Sequence, residues 1–289
     1  GTAGRTGYTL RVQTGCDETC SYCIIPSTRG VGRSVPLAHV LAELDEVAAA
    51  GFKEVSVTGV HLGSYGRDLG PGCTLQDLLR LFDTHRSTLY FRLSSLEPMD
   101  CGPDVVDLVA RSGRFAPHFH LPLQHASDRI LRAMRRPYTS EYYRRLVSGI
   151  RERLPHAGLG SDVIVGFPGE TDEDAATNLE YLGQSPLTYL HVFPYSERPG
   201  TDATRLSGKV PGPTIRARGR EIRSVGAALA ASFRALQVGT VRPGLTIEGG
   251  TVVVTDNYLK VRVPAAVPEN ERVQVRITAA GELITGMVV

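Results

Sequence analysis

Apolar and polar residues alternate through Tyr8, Leu10 and Val12, a period of two that predicts a strand over residues 8–14. The period then lengthens. Val40, Leu41, Leu44, Val47 and Ala48 share one helical face, so a helix is expected over 37–50, entered at Pro36 and stopped by Gly51. The exchange of periods repeats along the chain. Strands are expected over 55–58, 89–94, 119–123, 160–165 and 189–193, and helices over 75–85, 105–112, 140–154 and 172–183. Thr139 or Ser140 stands where the fourth helix needs its cap. Strand-helix units of this length imply parallel strands joined by right-handed crossovers. The fold class is therefore α/β. The pattern suits either a partial TIM-like barrel of six units or a doubly wound sheet.

The pattern changes after the sixth strand. A Pro- and Gly-rich stretch follows Arg198, then an Arg- and Ala-rich amphipathic helix over 214–236. Beyond Gly239, short β-branched runs over 252–254, 259–263 and 273–278 alternate with Gly, Pro and Asn turns, as in a small β-barrel. Two domains are expected, 1–236 and 237–289, and 289 residues suffice for both. No run of about 18 apolar residues occurs, so no transmembrane helix is expected. The sequence opens on no recognisable signal peptide, and a cytoplasmic location is expected.

Net charge is only +2, yet it is unevenly spread. Arg205, Lys209, Arg216, Arg218, Arg220, Arg223 and Arg234 face a single acidic residue, Glu221, within 205–234. Lysine is nearly absent, at Lys53, Lys209 and Lys260 alone, and arginine suits bidentate phosphate contacts. The last segment differs. Five basic residues there meet five acidic ones, so RNA contact by that barrel needs a local patch or stacking by a residue such as Tyr258.

Candidate chemistry concentrates in Cys16, Cys20 and Cys23, a C-x3-C-x2-C run just after the first strand. Soft thiolates suit iron-sulfur clusters or zinc. Three ligands leave one iron of a cubane open to a substrate, whereas structural zinc wants a fourth. Gly15 and Pro26 favour a loop that wraps its metal. The competing readings are zinc completed by Cys73, His39 or His61, and three separate thiols. Cys73 and Cys101 read as ordinary thiols rather than part of a disulfide framework.

With Tyr22 before the last cysteine, the run resembles the radical S-adenosylmethionine superfamily. The longer string Gly15-Cys16-Asp17-Glu18-Thr19-Cys20-Ser21-Tyr22-Cys23-Ile24-Ile25-Pro26 resembles its methylthiotransferase family. Further similar strings lie at 58–66, 93–98, 165–171 and 193–196. The resemblance implies a partial (βα)6 TIM-like radical SAM barrel, open on one side to a macromolecular substrate. It also likens the C-terminal barrel to the TRAM domain, an RNA-binding module. Cys16, Cys20 and Cys23 would then hold one 4Fe-4S cluster whose open iron chelates S-adenosylmethionine. Cofactor contacts are expected from Tyr22, from Thr58 and Gly59 ending the second strand, and from Ser95, Gln124 and Asp162 at the ends of the next three. The turn at Gly166, Pro168 and Gly169 precedes a helix amino terminus suited to an anionic or dipolar ligand, or capped by Thr171. His118, His120, His125 and His191 read as hydrogen bonders, since radical hydrogen abstraction needs no base.

Implied partners are tRNA and an electron donor such as flavodoxin or ferredoxin. The strings at 60–66 and 94–98 are most like the branch that modifies threonylcarbamoyl-adenosine beside the anticodon. Gln124-His125-Ala126-Ser127 departs from the Gln-Ser-Gly-Ser of tRNA members and resembles the branch that modifies a ribosomal-protein aspartate. An isopentenyl-adenosine tRNA substrate is the other alternative within the family. A noncatalytic RNA-binding protein with a structural metal site is the rival of another class. Family members carry an upstream domain with a second cluster. This sequence starts fifteen residues before Cys16, so it is expected to be part of a longer protein.

Overall fold

The computed structural model describes residues 6–264 and 266–289. The chain enters through β1 (Gly7–Arg11), β2 (Gln13–Thr14), a short α1 (Ile25–Arg29), β3 (Arg33–Ser34), α2 (Leu37–Ala49) and β4 (Glu54–Thr58). It continues through α3 (Leu75–Thr84), β5 (Tyr90–Leu93), α4 (Pro103–Arg111), β6 (His118–His120), α5 (Asp128–Ala133) and α6 (Ser140–Arg153). Then come β7 (Gly158–Val165), α7 (Asp172–Gly183), β8 (Tyr189–Pro194) and the long α8 (Gly212–Gln237).

β1, β4 and β5 form one parallel ladder, and β6, β7 and β8 another. Bridges Phe91↔Phe115 and Ser95↔His120 join them into one arc of six parallel strands. Among the described residues no ladder returns from β8 to β1, so the barrel stays open there. The outer face of the arc is apolar. Leu10, Val55, Val57 and Phe91 pack under Val40 and Leu44 of α2 and Leu78 and Phe82 of α3, all wholly buried. Phe82 stacks on Phe91 at 4.7 Å, and each such buried ring contributes about 1.5–3 kcal/mol. Capping boxes at Thr74 with Asp77 and at Thr171 with Asp174 start α3 and α7.

A closed five-stranded barrel follows, built from β9 (Val241–Ile247), β10 (Val252–Thr255), β11 (Lys260–Arg262), β12 (Arg272–Ala280) and β13 (Ile284–Val288) around Val253, Val261, Val275 and Ile277. It seats against the amino-terminal ends of the arc strands. Arg92 of β5 donates to the carbonyls of Asp256 (2.8 Å) and Thr255 (3.2 Å), and lies 5.0 Å from the ring centre of Tyr258. Asn257 is buried between the carbonyl of His156 (3.0 Å) and Gln237 of α8 (3.1 Å). Gly158 is required there, because a Cβ would sit 2.6 Å from the Asn257 carbonyl.

Several sequence expectations shift. The strand over 8–14 breaks at Val12, and Gln13–Thr14 turn away to pair antiparallel with Arg33–Ser34. The fourth strand stops at His120 rather than 123, because Pro122 has no N–H to give the ladder. α1 and α5 are additional and too short to show a period. β9 escaped the pattern because Pro243 and Gly244 interrupt it, Gly244 being forced by Val253, whose side chain would lie 2.5 Å from a Cβ. No helix among the described residues is long and apolar enough to cross a membrane.

Candidate functional site

The three cysteines lie in the loop between β2 and α1, at the carboxyl end of β1, and all three are half-buried. Gly15 starts the loop at φ 71°, with Cys16 N–H donating to the Gly30 carbonyl at 3.1 Å. A Cβ on Gly15 would lie 1.9 Å from the Val31 carbonyl oxygen, so only glycine lets the strand after α1 cross here. Gln13 ties this loop to the end of β4. Its amide donates to the Gly15 carbonyl (2.9 Å) and its Oε1 accepts from His61 N–H (2.8 Å).

Three thiols on one small ion would lie about 3.8 Å apart, given zinc-sulfur bonds of about 2.3 Å in a tetrahedron. Among the described residues, no three of Cys16, Cys20, Cys23, Cys73, His39 and His61 bring their donor atoms within 4.8 Å of one another. That spacing does not match a single tetrahedral zinc ion. Burial pushes the Cys20 and Cys23 thiols up, and the Arg136 guanidinium pulls Cys20 back part of the way.

Two groups beside the thiols were not singled out as site residues from the sequence. Arg136, in the turn after α5, is buried with Nη1 3.1 Å from Cys20 Sγ, paired with Glu97, and hydrogen-bonded through Nε to Tyr138 at 3.1 Å. Burial opposes its charge, but Tyr138 and Glu97 more than offset this and raise its pKa. A charged fork aimed at the thiols suits an anionic cluster and a carboxylate-bearing ligand. Its only signal in the sequence is the arginine pair Arg135-Arg136 directly before Pro137. His61 appeared only as a possible zinc ligand. Its Nδ1 lies 3.8 Å from Cys16 Sγ and its Nε2 2.7 Å from Asp100. Burial lowers its pKa, yet the bonds to Asp100 and Cys16 prevail and push it up to about 9.

The strand ends carry the other expected residues. Thr58 Oγ1 donates to the Leu10 carbonyl at 3.3 Å, and a Cβ on Gly59 would meet Gln13 and Leu62 at 3.1 Å. Ser95 bridges to His120 across the β5–β6 seam. Gln124 holds the left-handed conformation, φ 69°, and bridges to Val163. Asp162 Oδ1 lies between His120 Nε2 (3.0 Å) and His191 Nδ1 (3.2 Å), with Tyr189 OH joining His120 Nδ1 (3.2 Å) to His118 Nε2 (2.8 Å). The inner wall of the arc is thus a connected polar ladder. Tyr22 is partly buried and packs its ring on an apolar cluster, edge-on to Phe167 at 6.5 Å.

The anion site expected after Gly166 is filled from within. Glu170 accepts from the N–H groups of Gly166 and Phe167 (3.2 Å) and pairs with Arg218 at 2.8 Å, while the Thr171–Asp174 box caps α7. His125 is also structural. It is wholly buried, its Nδ1 accepts from Ser127 N–H at 2.9 Å, and its Nε2 has no hydrogen bond and lies 3.9 Å from Glu170 Oε2. Burial pushes its pKa down to about 4. Unfolded, the ring titrates near 6.5, so between those values the unfolded chain binds the extra proton and stability falls as pH falls. This residue is expected to cost on the order of 2 kcal/mol between pH 7 and pH 4.5 in urea unfolding. His125→Asn, which keeps an acceptor for Ser127, should flatten that slope, and an unchanged slope would contradict the assignment.

The sequence pattern of the Radical SAM superfamily matches residues 10–182. The chain is similar to the threonylcarbamoyladenosine tRNA methylthiotransferase MtaB of Aquifex aeolicus (strain VF5), 38% identical over 253 residues, covering 88% of this chain and 61% of the relative. It is similar also to the ribosomal protein uS12 methylthiotransferase RimO of Acidothermus cellulolyticus (strain ATCC 43068 / DSM 8971 / 11B), 40% identical over 216 residues, covering 75% and 46%. The chain thus spans less than two thirds of the length of either relative. Among solved structures, the radical S-adenosylmethionine methyltransferase TsrM from Kitasatospora setae shares the fold at TM-score 0.57 and 21% identity, over 68% of this chain and 35% of that one.

Proposed function

We infer that this chain, which belongs to the radical SAM superfamily, is the catalytic portion of a methylthiotransferase acting on threonylcarbamoyl-adenosine beside the tRNA anticodon. The observation that carries the reading is the set of three half-buried thiols in one loop at the carboxyl end of β1, with the buried Arg136 guanidinium against Cys20. The branch is supported by the likeness to MtaB over 88% of this chain. The motif that favoured a ribosomal-protein substrate loses its weight, because His125 is buried and not presented to a ligand.

A 4Fe-4S cluster with bound S-adenosylmethionine supplies one-electron chemistry able to replace an unactivated C–H hydrogen, which no side chain can do. The protein's part is holding, orienting and excluding water. Cys16, Cys20 and Cys23 would hold the cluster and leave one iron for the cofactor. Thr58 and Gly59 would bring backbone close to the cofactor at the end of β4, Arg136 would meet its carboxylate, and Ser95, Gln124 and Asp162 would supply polar contacts to its ribose. His120 and His191 hold the Asp162 carboxylate in place. Tyr22, Phe167, Ile130 and Met134 form the apolar side that keeps water from the cluster loop.

The reading divides the chain at 236/237 into a catalytic part with its linker helix and a TRAM-like barrel. It needs an electron donor of the flavodoxin or ferredoxin kind, and a cytoplasmic setting where tRNA is found. Sulfur delivery needs a second cluster on cysteines outside these residues, since Cys101 is wholly buried and Cys73 lies in another loop. After anaerobic reconstitution with reductant, the chain is expected to yield 5′-deoxyadenosine and methionine. A form of the protein carrying the second cluster should add a methylthio group to threonylcarbamoyl-adenosine, read by nucleoside mass spectrometry. No cofactor cleavage at full iron content would overturn the reading, and modification of isopentenyl-adenosine or of a ribosomal aspartate would move the branch.

A further inference from the structure

Arg216, Arg220 and Arg223 are exposed on α8 at spacings of four and three, so they stand on one flank of the helix. None of them has a carboxylate partner among the described residues. The fourth arginine of this turn, Arg218, points the other way and is consumed by Glu170 and Asp172. Glycine lies four residues before two of the three. The Arg216 Nη1 comes within 3.3 Å of where a Cβ on Gly212 would stand, and both Arg223 Nη atoms within 3.3 Å of that on Gly219. The guanidinium groups therefore lie back along the helix and line up. Arg234, eighteen residues after Arg216, falls on the same flank and extends it to about 27 Å at 1.5 Å per residue.

The small barrel offers much less. Arg242 is held by Asp256 at 2.9 and 2.7 Å, Lys260 faces Glu248 at 3.5 Å, and Arg272 stacks over Tyr90 at 4.7 Å. Only Arg262 and Arg276 remain there, on strands that are not neighbours. α8 itself packs on β8, the edge strand at the opening of the catalytic arc.

We propose that the Arg216–Arg220–Arg223 flank of α8 is the track that grips the RNA sugar-phosphate backbone, and that the neutral barrel contributes little of the electrostatic pull. This rests on the tRNA reading above. Guanidinium forks match phosphate oxygens in pairs. The segment exposes no large apolar side chain between Arg216 and Arg223, which an interfacial membrane helix would need.

The test is fluorescence anisotropy of a labelled anticodon stem-loop RNA with the full chain across a salt series. Losing three phosphate contacts from a single strand should flatten the slope of log K against log salt by about 2. R216Q/R220Q/R223Q is expected to show that change, with roughly tenfold or greater loss of affinity at low salt, while R262Q/R276Q shows little. The triple lysine variant should keep the slope and lose some affinity, and unchanged melting by circular dichroism excludes misfolding. If the wild-type chain binds the RNA and the triple glutamine variant keeps its slope, the track is wrong and the tRNA reading stands. If the wild-type chain binds no RNA at any salt, both fail. Loss of binding to phosphatidylserine vesicles, with RNA affinity unchanged, would assign the flank to a membrane surface instead.

Discussion

Alanine at Cys16, Cys20 or Cys23 is expected to drop iron after anaerobic reconstitution from about four per chain to a background below about one. Each thiolate holds a separate iron, so two ligands cannot retain a cluster that three hold with an open site. The Cys20 variant should be as severe as the others, although Arg136 remains, because a guanidinium cannot bind iron. Cys73→Ala and Cys101→Ala should keep full iron. Cys101 is wholly buried, its thiol pushed up to about 12 by burial, and so has neither the exposure nor the charge of a ligand. Iron and sulfide assay with the visible spectrum reads the result. Stoichiometric zinc in the wild-type chain, or full iron in any of the three variants, would remove the basis of the enzymatic reading.

Deleting Gly239 to Val289 is expected to damage the catalytic barrel itself and not merely RNA binding. The resemblance to a TRAM domain implies a detachable RNA module whose loss would spare cofactor cleavage. The contacts argue otherwise. Arg92, 5% exposed, would keep Glu54 but lose the Thr255 and Asp256 carbonyls and the face of Tyr258. His118 would lose its packing on Tyr258 at 4.8 Å, and Tyr90 would lose Arg272. Breaking the surroundings of a buried charge costs about 3–5 kcal/mol. In a chain of this size that corresponds to a melting point lower by roughly 6–20 °C. Thermal unfolding by circular dichroism measures it, and Arg92→Met in the full chain, which takes the charge away, should cost less than the deletion. A truncated chain that melts with the full one and cleaves cofactor at the full rate would show the two barrels to be independent.

Much of the fold is legible in the sequence because each element buries one face. Helices α3, α4 and α6 begin and end within three residues of expectation, since a stripe such as Leu75, Leu78, Leu79 and Phe82 leaves little choice of period. What escaped was short or interrupted: α5 has six residues, and β9 contains Pro243 and Gly244. That the three thiols of the candidate site lie together was determined by the sequence, because cysteines within eight residues share one neighbourhood in any fold. Tertiary structure alone decided what surrounds them. Arg136 reaches Cys20 across 116 residues of chain, His61 meets Asp100 across 39, and Arg92 finds the Asp256 carbonyl across 164. It also turned Tyr22 and His125 into packing residues and set Asp162 between two histidines. Which face of a strand or loop a polar residue presents depends on register against strands far away in the chain, and no local period records that register.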